Sequence, residues 1–145
     1  MATIANETLH CGTRNDVLEA LRGEALAYVR YRLCARAARR HGRRALADLF
    51  ELTALVERDD HFRRLAELVE LAGDDEAALA EAIACEDDQA ETIYPEYAER
   101  AARAGDLAAA ELFAEIARDE RRHRAAFEAA LAGLEAAPEI LSSPR

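Results

Sequence analysis

The two halves of this 145-residue chain repeat each other, and the repeat constrains the fold more than any other feature. One constant shift in residue number superposes Tyr31 on Tyr94, Gly42 on Gly105, Phe50 on Phe113 and Glu57 on Glu120. Paired glycines, aromatics and glutamates at a single offset are more than alanine-rich composition would give by chance. In each half, two segments with helical periodicity flank the glycine, so the sequence predicts a duplicated helical hairpin.

Helix-forming residues dominate the rest of the chain, which has no Trp, three Pro and six Gly. Gly42, Gly73 and Gly105 predict the helix ends. We expect an all-α fold with four helices, at about residues 14–41, 43–72, 74–104 and 106–135. The expected domain limits are a flexible leader (1–13), a four-helix domain (14–136, with hairpins 14–73 and 74–136) and a tail (137–145).

Charge and cysteine content exclude several classes of protein. The net charge of −10 disfavours nucleic acid as a partner. No run approaches the roughly 18 apolar residues that span a membrane, and the N-terminus lacks a signal-peptide pattern, so a cytoplasmic location is expected. Cys11, Cys34 and Cys85 are widely spaced and form no Cys-x-x-Cys motif, which predicts neither disulfides nor a cysteine metal site.

Acidic residues inside the apolar stripes of the helices are the strongest indication of function. Glu120 and His123 lie three residues apart on a stripe that also contains Phe113 and Ile116. Similar stripes carry the other three glutamates of the set: Glu24, Glu57 and Glu86. Four carboxylates converging in a bundle core would repel each other unless cations held them. Carboxylate oxygens with an imidazole suit iron or manganese, and di-iron helical bundles use this ligand pattern.

The two halves differ by one residue near the third glutamate. Glu24 precedes Tyr31 by seven residues, whereas Glu86 precedes Tyr94 by eight. One extra residue in a helix is commonly accommodated as a π-bulge, and such bulges are frequent at functional sites. Pro95 offers the alternative of an ordinary proline kink. The sequence leaves both interpretations open.

These motifs resemble the ferritin-like di-iron domain of rubrerythrins over roughly residues 17–131. The resemblance rests on Gly23-Glu24 with Tyr31, Leu49-Phe50-x-x-Thr53-Ala54-x-x-Glu57, Glu86 with Tyr94-Pro95, and Phe113-x-x-Ile116-Ala117-x-x-Glu120-x-x-His123. It implies a ferritin-like four-helix bundle with two iron ions, or manganese or mixed metals, as cofactors. It also implies non-haem peroxidase activity that reduces hydrogen peroxide. The metal ligands implied are Glu24, Glu57, Glu86, Glu120 and His123.

The sequence departs from the rubrerythrin pattern at three points. Asp60 stands where the first Glu-x-x-His motif has its histidine, and we favour Asp60 as the ligand over the adjacent His61. Gln89 replaces an additional helix glutamate linked to iron redox chemistry in the family, which makes a ferroxidase or oxygen-consuming role the alternative reaction. We expect no C-terminal rubredoxin domain, and therefore expect a separate electron donor such as a rubredoxin. The alternative that is not an enzyme is a helical bundle that binds metal without catalysing a reaction.

The connection between the hairpins predicts the oligomeric state. In a ferritin-like bundle the second and third helices run parallel, so the chain between them must return along the bundle. That return needs more than ten extended residues, whereas Gly73, Asp74 and Asp75 are the residues available. We therefore expect a homodimer formed by hairpin exchange. An up-down-up-down monomer is the alternative.

Overall fold

A computed structural model describes residues 9–136 of the chain, and within these residues it contains helices and no strand. The six α-helices are α1 (Cys11–Arg40), α2 (Arg44–Val56), α3 (Arg63–Val69), α4 (Asp75–Asp88), α5 (Tyr94–Ala104) and α6 (Leu107–Ala136). Two π-helical segments join them without a break, the first π segment (Glu57–Phe62) between α2 and α3 and the second π segment (Gln89–Ile93) between α4 and α5. The chain thus forms the four long helical rods expected from the sequence. The first rod is α1, and the second is α2 with the first π segment and α3. The third is α4 with the second π segment and α5, and the fourth is α6.

The rods are arranged as two compact units that divide after Leu71. The first hairpin consists of α1 packed against α2, the first π segment and α3. The second hairpin consists of α4, the second π segment and α5 packed against α6. The duplication read from the sequence is therefore present as two helical hairpins.

Local signals place the helix ends close to the predicted positions. Gly42 and Gly105 have φ values of 69° and 86°, a left-handed conformation that suits glycine at a helix C-terminus. The Asp74 side chain accepts a hydrogen bond of 2.8 Å from the Ala77 amide and so caps α4. One end differs from the prediction, since α3 stops at Val69 and Glu70 adopts a left-handed φ of 51°.

The predicted leader and tail fall mostly outside the described residues. Residues 1–8 and 137–145 are not described. Within the expected leader, α1 already begins at Cys11, three residues before the predicted start. The His10 side chain accepts a hydrogen bond from the Gly12 amide, 3.2 Å away, and so satisfies one of the free N–H groups at this helix end.

Small residues bring the two rods of the first hairpin close together. Ala35 is 1% exposed, and Ala47 and Ala54 are fully buried. Tyr31 packs against Phe50 with ring centroids 5.9 Å apart, and Arg39 bonds Glu51 across the hairpin at 2.6 Å. Alanine contacts allow close backbone approach, which places functional side chains of opposite rods within reach of each other.

The second hairpin repeats this aromatic packing at the equivalent positions. Tyr94 lies 6.2 Å from Phe113 between ring centroids, and Tyr97 lies 5.5 Å from the same ring. Ala90 and Ala117 are the buried small residues of this unit. The aromatic pair Tyr94–Phe113 therefore matches Tyr31–Phe50 in structure as it does in sequence.

The extra residue between Glu86 and Tyr94 is accommodated as π-helix. The Tyr94 amide bonds the Gln89 carbonyl, a step of five residues rather than four. Of the two interpretations left open by the sequence, the π-bulge is confirmed.

None of the helices in residues 9–136 combines the length and apolar character needed to cross a bilayer.

Candidate metal centre

The first hairpin brings two carboxylates and one imidazole together. Glu24 comes from α1, and Glu57 and His61 come from the first π segment. His61 Nδ1 lies 2.8 Å from Glu57 Oε2 and 3.7 Å from Glu24 Oε1. One ligand atom from each of the three residues falls within 4.8 Å of the others, a spacing compatible with a shared metal ion.

The second hairpin repeats this arrangement with closely similar distances. Glu86 comes from α4, and Glu120 and His123 come from α6. His123 Nδ1 lies 2.7 Å from Glu120 Oε2 and 3.8 Å from Glu86 Oε2. These three residues form the other group whose ligand atoms lie within 4.8 Å of one another. Each hairpin thus carries one Glu–Glu–His group.

The first π segment explains why the histidine spacing differs between the groups. In the α-helical α6, a residue three positions after Glu120 shares its face. The wider turn of a π-helix shifts this relation by about one residue, so the residue four positions after Glu57 takes that place. His61 therefore occupies the position in the first hairpin that His123 occupies in the second.

Asp60, which we favoured as a ligand from the sequence, is not part of the first group. Its Oδ2 lies 3.5 Å from Arg64 Nη1 and 4.0 Å from His61 Nε2. The preference for Asp60 assumed an ordinary α-helix after Glu57, and the π-helical turn removes that assumption. The structure places the other five predicted ligands in the two groups and adds His61 to them.

The glutamates of each group affect one another's ionisation. A hydrogen bond with Glu57, followed by burial and the charge of Glu57, raises the pKa of Glu24. Burial, followed by a hydrogen bond with Glu120, raises the pKa of Glu86. Crowded carboxylates take up protons more readily unless a cation replaces the proton.

One buried oxygen tests whether these residues suit a metal ion. Glu86 Oε2 is buried and has no hydrogen-bond partner among the described residues. An unsatisfied buried carboxylate oxygen is costly, and a cation would satisfy it. Carboxylate oxygens with imidazole nitrogen are donors suited to iron and manganese. The residues present therefore fit a metal ion.

Gln89 lies at the start of the second π segment, at the position where the resemblance described above implies an additional glutamate. Its amide Nε2 lies 2.9 Å from Cys85 Sγ on the same rod. Gln89 does not belong to either Glu–Glu–His group. Each Glu–Glu–His group therefore contains two carboxylates.

Comparison with known proteins identifies the family to which the chain belongs. No curated protein matches the chain significantly. The family model described as Rubrerythrin matches residues 16–131, a range that contains both Glu–Glu–His groups. The chain therefore belongs to the rubrerythrin family, and the predicted all-α, ferritin-like fold is confirmed.

Proposed function

We propose that the protein is a non-haem di-iron peroxidase that reduces hydrogen peroxide to water. The observation that carries this proposal is the pair of matching Glu–Glu–His groups, one on each hairpin. Membership of the rubrerythrin family supports iron as the metal. Manganese or a mixed pair is the alternative loading, since the same donors suit it.

The proposed ligands are Glu24, Glu57, His61, Glu86, Glu120 and His123. Their roles follow from their chemistry. The carboxylates would hold and neutralise the cations, and each histidine would contribute a neutral nitrogen. Iron ions, when bound, supply the two electrons of the reaction and polarise the peroxide. With two protons and those two electrons, one peroxide gives two waters.

A dinuclear centre requires that the two groups face each other, and the chain connection favours two copies for this. The helical path runs on from Glu57 to the end of α3 at Val69, and α4 then runs from Asp75 to Glu86. At about 1.5 Å per residue, a return to the ferritin-like parallel arrangement covers about 35 Å. The five residues 70–74 reach about 20 Å when extended.

We therefore propose a homodimer in which the first hairpin of one copy pairs with the second hairpin of its mate. Light scattering on the metal-loaded protein tests this arrangement, with the mass of two chains as the expected result. A loaded protein with the mass of one chain would contradict the exchange and favour an up-down-up-down monomer.

The electrons for a catalytic cycle are proposed to come from a separate donor protein such as a rubredoxin. A cytoplasmic location is proposed with it. Cys11, Cys34 and Cys85 are all free thiols, and free thiols are typical of a reducing compartment. We also propose that the protein binds neither nucleic acid nor a membrane.

Oxidation of the ferrous protein tests the reaction itself. The protein is loaded anaerobically with Fe²⁺ and mixed in a stopped-flow device with either hydrogen peroxide or dioxygen. We expect faster oxidation by peroxide, with one peroxide consumed per two Fe²⁺. A Glu120→Gln variant loaded identically is the control, and it should lose the fast phase.

The second candidate function is a ferroxidase or oxygen-consuming protein. The observation that favours it is Gln89, whose amide contacts Cys85 where rubrerythrins have a further carboxylate. Faster oxidation by dioxygen than by peroxide would support this candidate. If the protein binds Fe²⁺ but neither peroxide nor dioxygen oxidises the bound iron rapidly, the protein is a metal-binding bundle without enzymatic activity.

A further inference from the structure

The second π segment leaves one backbone carbonyl without its usual partner. In an α-helix, the Ala90 carbonyl would accept a bond from the Tyr94 amide, but that amide bonds the Gln89 carbonyl instead. In a π-helix, the Ala90 carbonyl would accept from residue 95, which is a proline without an N–H. Ala90 is fully buried, so water is a poor substitute.

Arg121 of α6 supplies the missing donor. Its Nη2 lies 3.1 Å from the Ala90 carbonyl oxygen. The same guanidinium also holds the neighbouring residue of the π segment, with Nε 2.9 Å from Glu91 Oε1 and Nη2 3.1 Å from Glu91 Oε2. Arg121 therefore holds both the backbone and a side chain of the second π segment, in a two-pronged geometry that lysine does not offer.

This contact lies directly beside the second Glu–Glu–His group. Arg121 follows Glu120 in sequence, and the segment it holds begins three residues after Glu86. Arg124 adds a second ion pair between the same rods, because its Nη1 contacts Asp87 and lies 3.6 Å from Glu91 Oε1. The rods that carry Glu86 and Glu120 are thus joined at the level of the proposed ligands.

The first hairpin provides an internal comparison. Arg58 occupies the position equivalent to Arg121 in the sequence repeat, directly after Glu57. Its guanidinium bonds the adjacent Asp59 at 2.5 and 2.8 Å and lies 5.6 Å from the centroid of the Tyr28 ring. The rod opposite Arg58 is α1, which is regular α-helix throughout. Of these two equivalent arginines, Arg121 bonds a main-chain carbonyl, and in its hairpin the opposite rod contains a π segment that is followed by Pro95.

We propose that Arg121 is a positioning residue that replaces the hydrogen bond Pro95 cannot make, and thereby fixes the second π segment and the register of Glu86 against Glu120. The hydrogen-bond role is independent of the metal. Its consequence for ligand alignment rests on the proposed di-iron function. Arg121 touches neither substrate nor metal in this proposal.

Hydrogen exchange in the metal-free, full-length protein tests the hydrogen-bond role. We expect Arg121→Ala to speed exchange of the Ile93 and Tyr94 amides about tenfold to hundredfold, as loss of a buried bond implies. The matched control, Arg58→Ala, should leave these amides unchanged. Unchanged exchange at Ile93 and Tyr94 in Arg121→Ala would overturn the proposal.

Pro95→Ala makes the test specific, because it returns an N–H to residue 95. In the Arg121→Ala background, this second change should restore most of the lost protection at Ile93 and Tyr94. A general loss of packing would not be repaired in this way, so failure of the rescue would also overturn the proposal. If Arg121→Ala does not fold, Arg121→Lys serves instead, since its one nitrogen cannot reproduce the two-pronged geometry of the guanidinium and should give intermediate exchange rates.

Titration with Co²⁺, followed by its visible absorption, tests the consequence for ligand alignment. Arg121→Ala should weaken one of two bound ions about tenfold, whereas Arg58→Ala should weaken neither. Weakening of neither ion by Arg121→Ala would overturn the alignment role. If even the unmodified protein binds no Co²⁺, the di-iron proposal fails, while the exchange result still decides the hydrogen-bond role of Arg121.

Discussion

The two hairpins have the same three ligand types at nearly the same distances, yet they differ in net charge and in the position of the π-helical turn. Residues 1–71 contain 12 arginines against 11 acidic residues, and residues 72–145 contain 7 against 18. The first half is therefore nearly neutral, and the second carries the net negative charge of the chain. The π-helical turn also lies on different rods, after Glu57 in one hairpin and after Glu86 in the other. Both hairpins keep the Glu–Glu–His group despite these two differences.

The largest expected effect follows from removing the same glutamate from each hairpin. Glu57→Ala and Glu120→Ala each leave one carboxylate and one histidine in their group. We expect both variants to bind fewer than two metal ions per pair of Glu–Glu–His groups. We also expect the rate of oxidation by peroxide to fall about a hundredfold or more. Metal analysis and stopped-flow kinetics measure the two quantities.

The matched control for this pair is Glu67→Ala. Glu67 is exposed and pairs with Arg63 one turn away on α3, so its removal should leave metal content and rate unchanged. If Glu57→Ala or Glu120→Ala kept full metal content, the two groups would not be equivalent and the comparison would fail.

The next effect distinguishes the two ligand candidates of the first hairpin. Because the π-helical turn directs His61 toward Glu57, His61→Ala should weaken metal binding about tenfold to hundredfold. Asp60→Ala should change it less than about twofold, since Asp60 lies beside Arg64. Competitive titration with a metallochromic indicator gives both affinities. Equal losses in the two variants would mean that both side chains bind the metal.

The His61 result also shows what the sequence could predict and what it could not. Periodicity, glycine positions and the constant offset between the halves predicted the hairpins and all four glutamates, because they depend on local helix geometry. The change from seven to eight residues between Glu86 and Tyr94 indicated the second π segment. The first π segment has an equivalent signal, four residues from Glu57 to His61 against three from Glu120 to His123. We interpreted that difference as a substitution by Asp60 rather than as an extra residue in the helix.

The contacts of Arg121 were beyond the reach of the sequence. Arg58 and Arg121 occupy equivalent positions in the repeat, so nothing in the pattern separates them. Their partners depend on which rod opposite them is π-helical and on whether a backbone donor is missing there. Such hydrogen-bond accounting requires the path of the backbone.

A pH titration sharpens the comparison of the two carboxylate pairs. Since the main cause of the raised pKa of Glu24 is its hydrogen bond with Glu57, Glu57→Gln should bring that pKa down. Burial is the main cause at Glu86, so Glu120→Gln should leave much of its raised pKa in place. Carboxyl-carbon NMR on the metal-free protein measures each value. An unchanged pKa of Glu24 in Glu57→Gln would contradict the assigned cause.

The raised pKa values also fix the sign of the pH dependence of stability. A carboxyl whose pKa is higher in the folded state stabilises the fold below its unfolded pKa, and this contribution is lost as pH rises through the folded pKa. The contribution of Glu24 and Glu86 in the metal-free protein should therefore fall above the ordinary glutamate pKa. Bound metal removes this loss, because it favours the ionised carboxylates. Urea denaturation at several pH values, with and without metal, measures the difference.

The smallest expected effects concern the turns. Both hairpins place glycine at the left-handed turn residue, whereas the segment between the hairpins has a left-handed glutamate after α3. Gly42 and Gly105 provide the left-handed residue within each hairpin, and Gly42→Ala or Gly105→Ala should each cost about 1 kcal/mol. Glu70 adopts the same conformation after α3 without being glycine. Glu70→Gly should therefore raise the free energy of unfolding by about 0.5 kcal/mol, the relieved strain being offset in part by a more flexible unfolded chain. Denaturation of the three variants under identical conditions tests the signs, and a destabilised Glu70→Gly would show that the Glu70 side chain contributes more than its backbone strain costs.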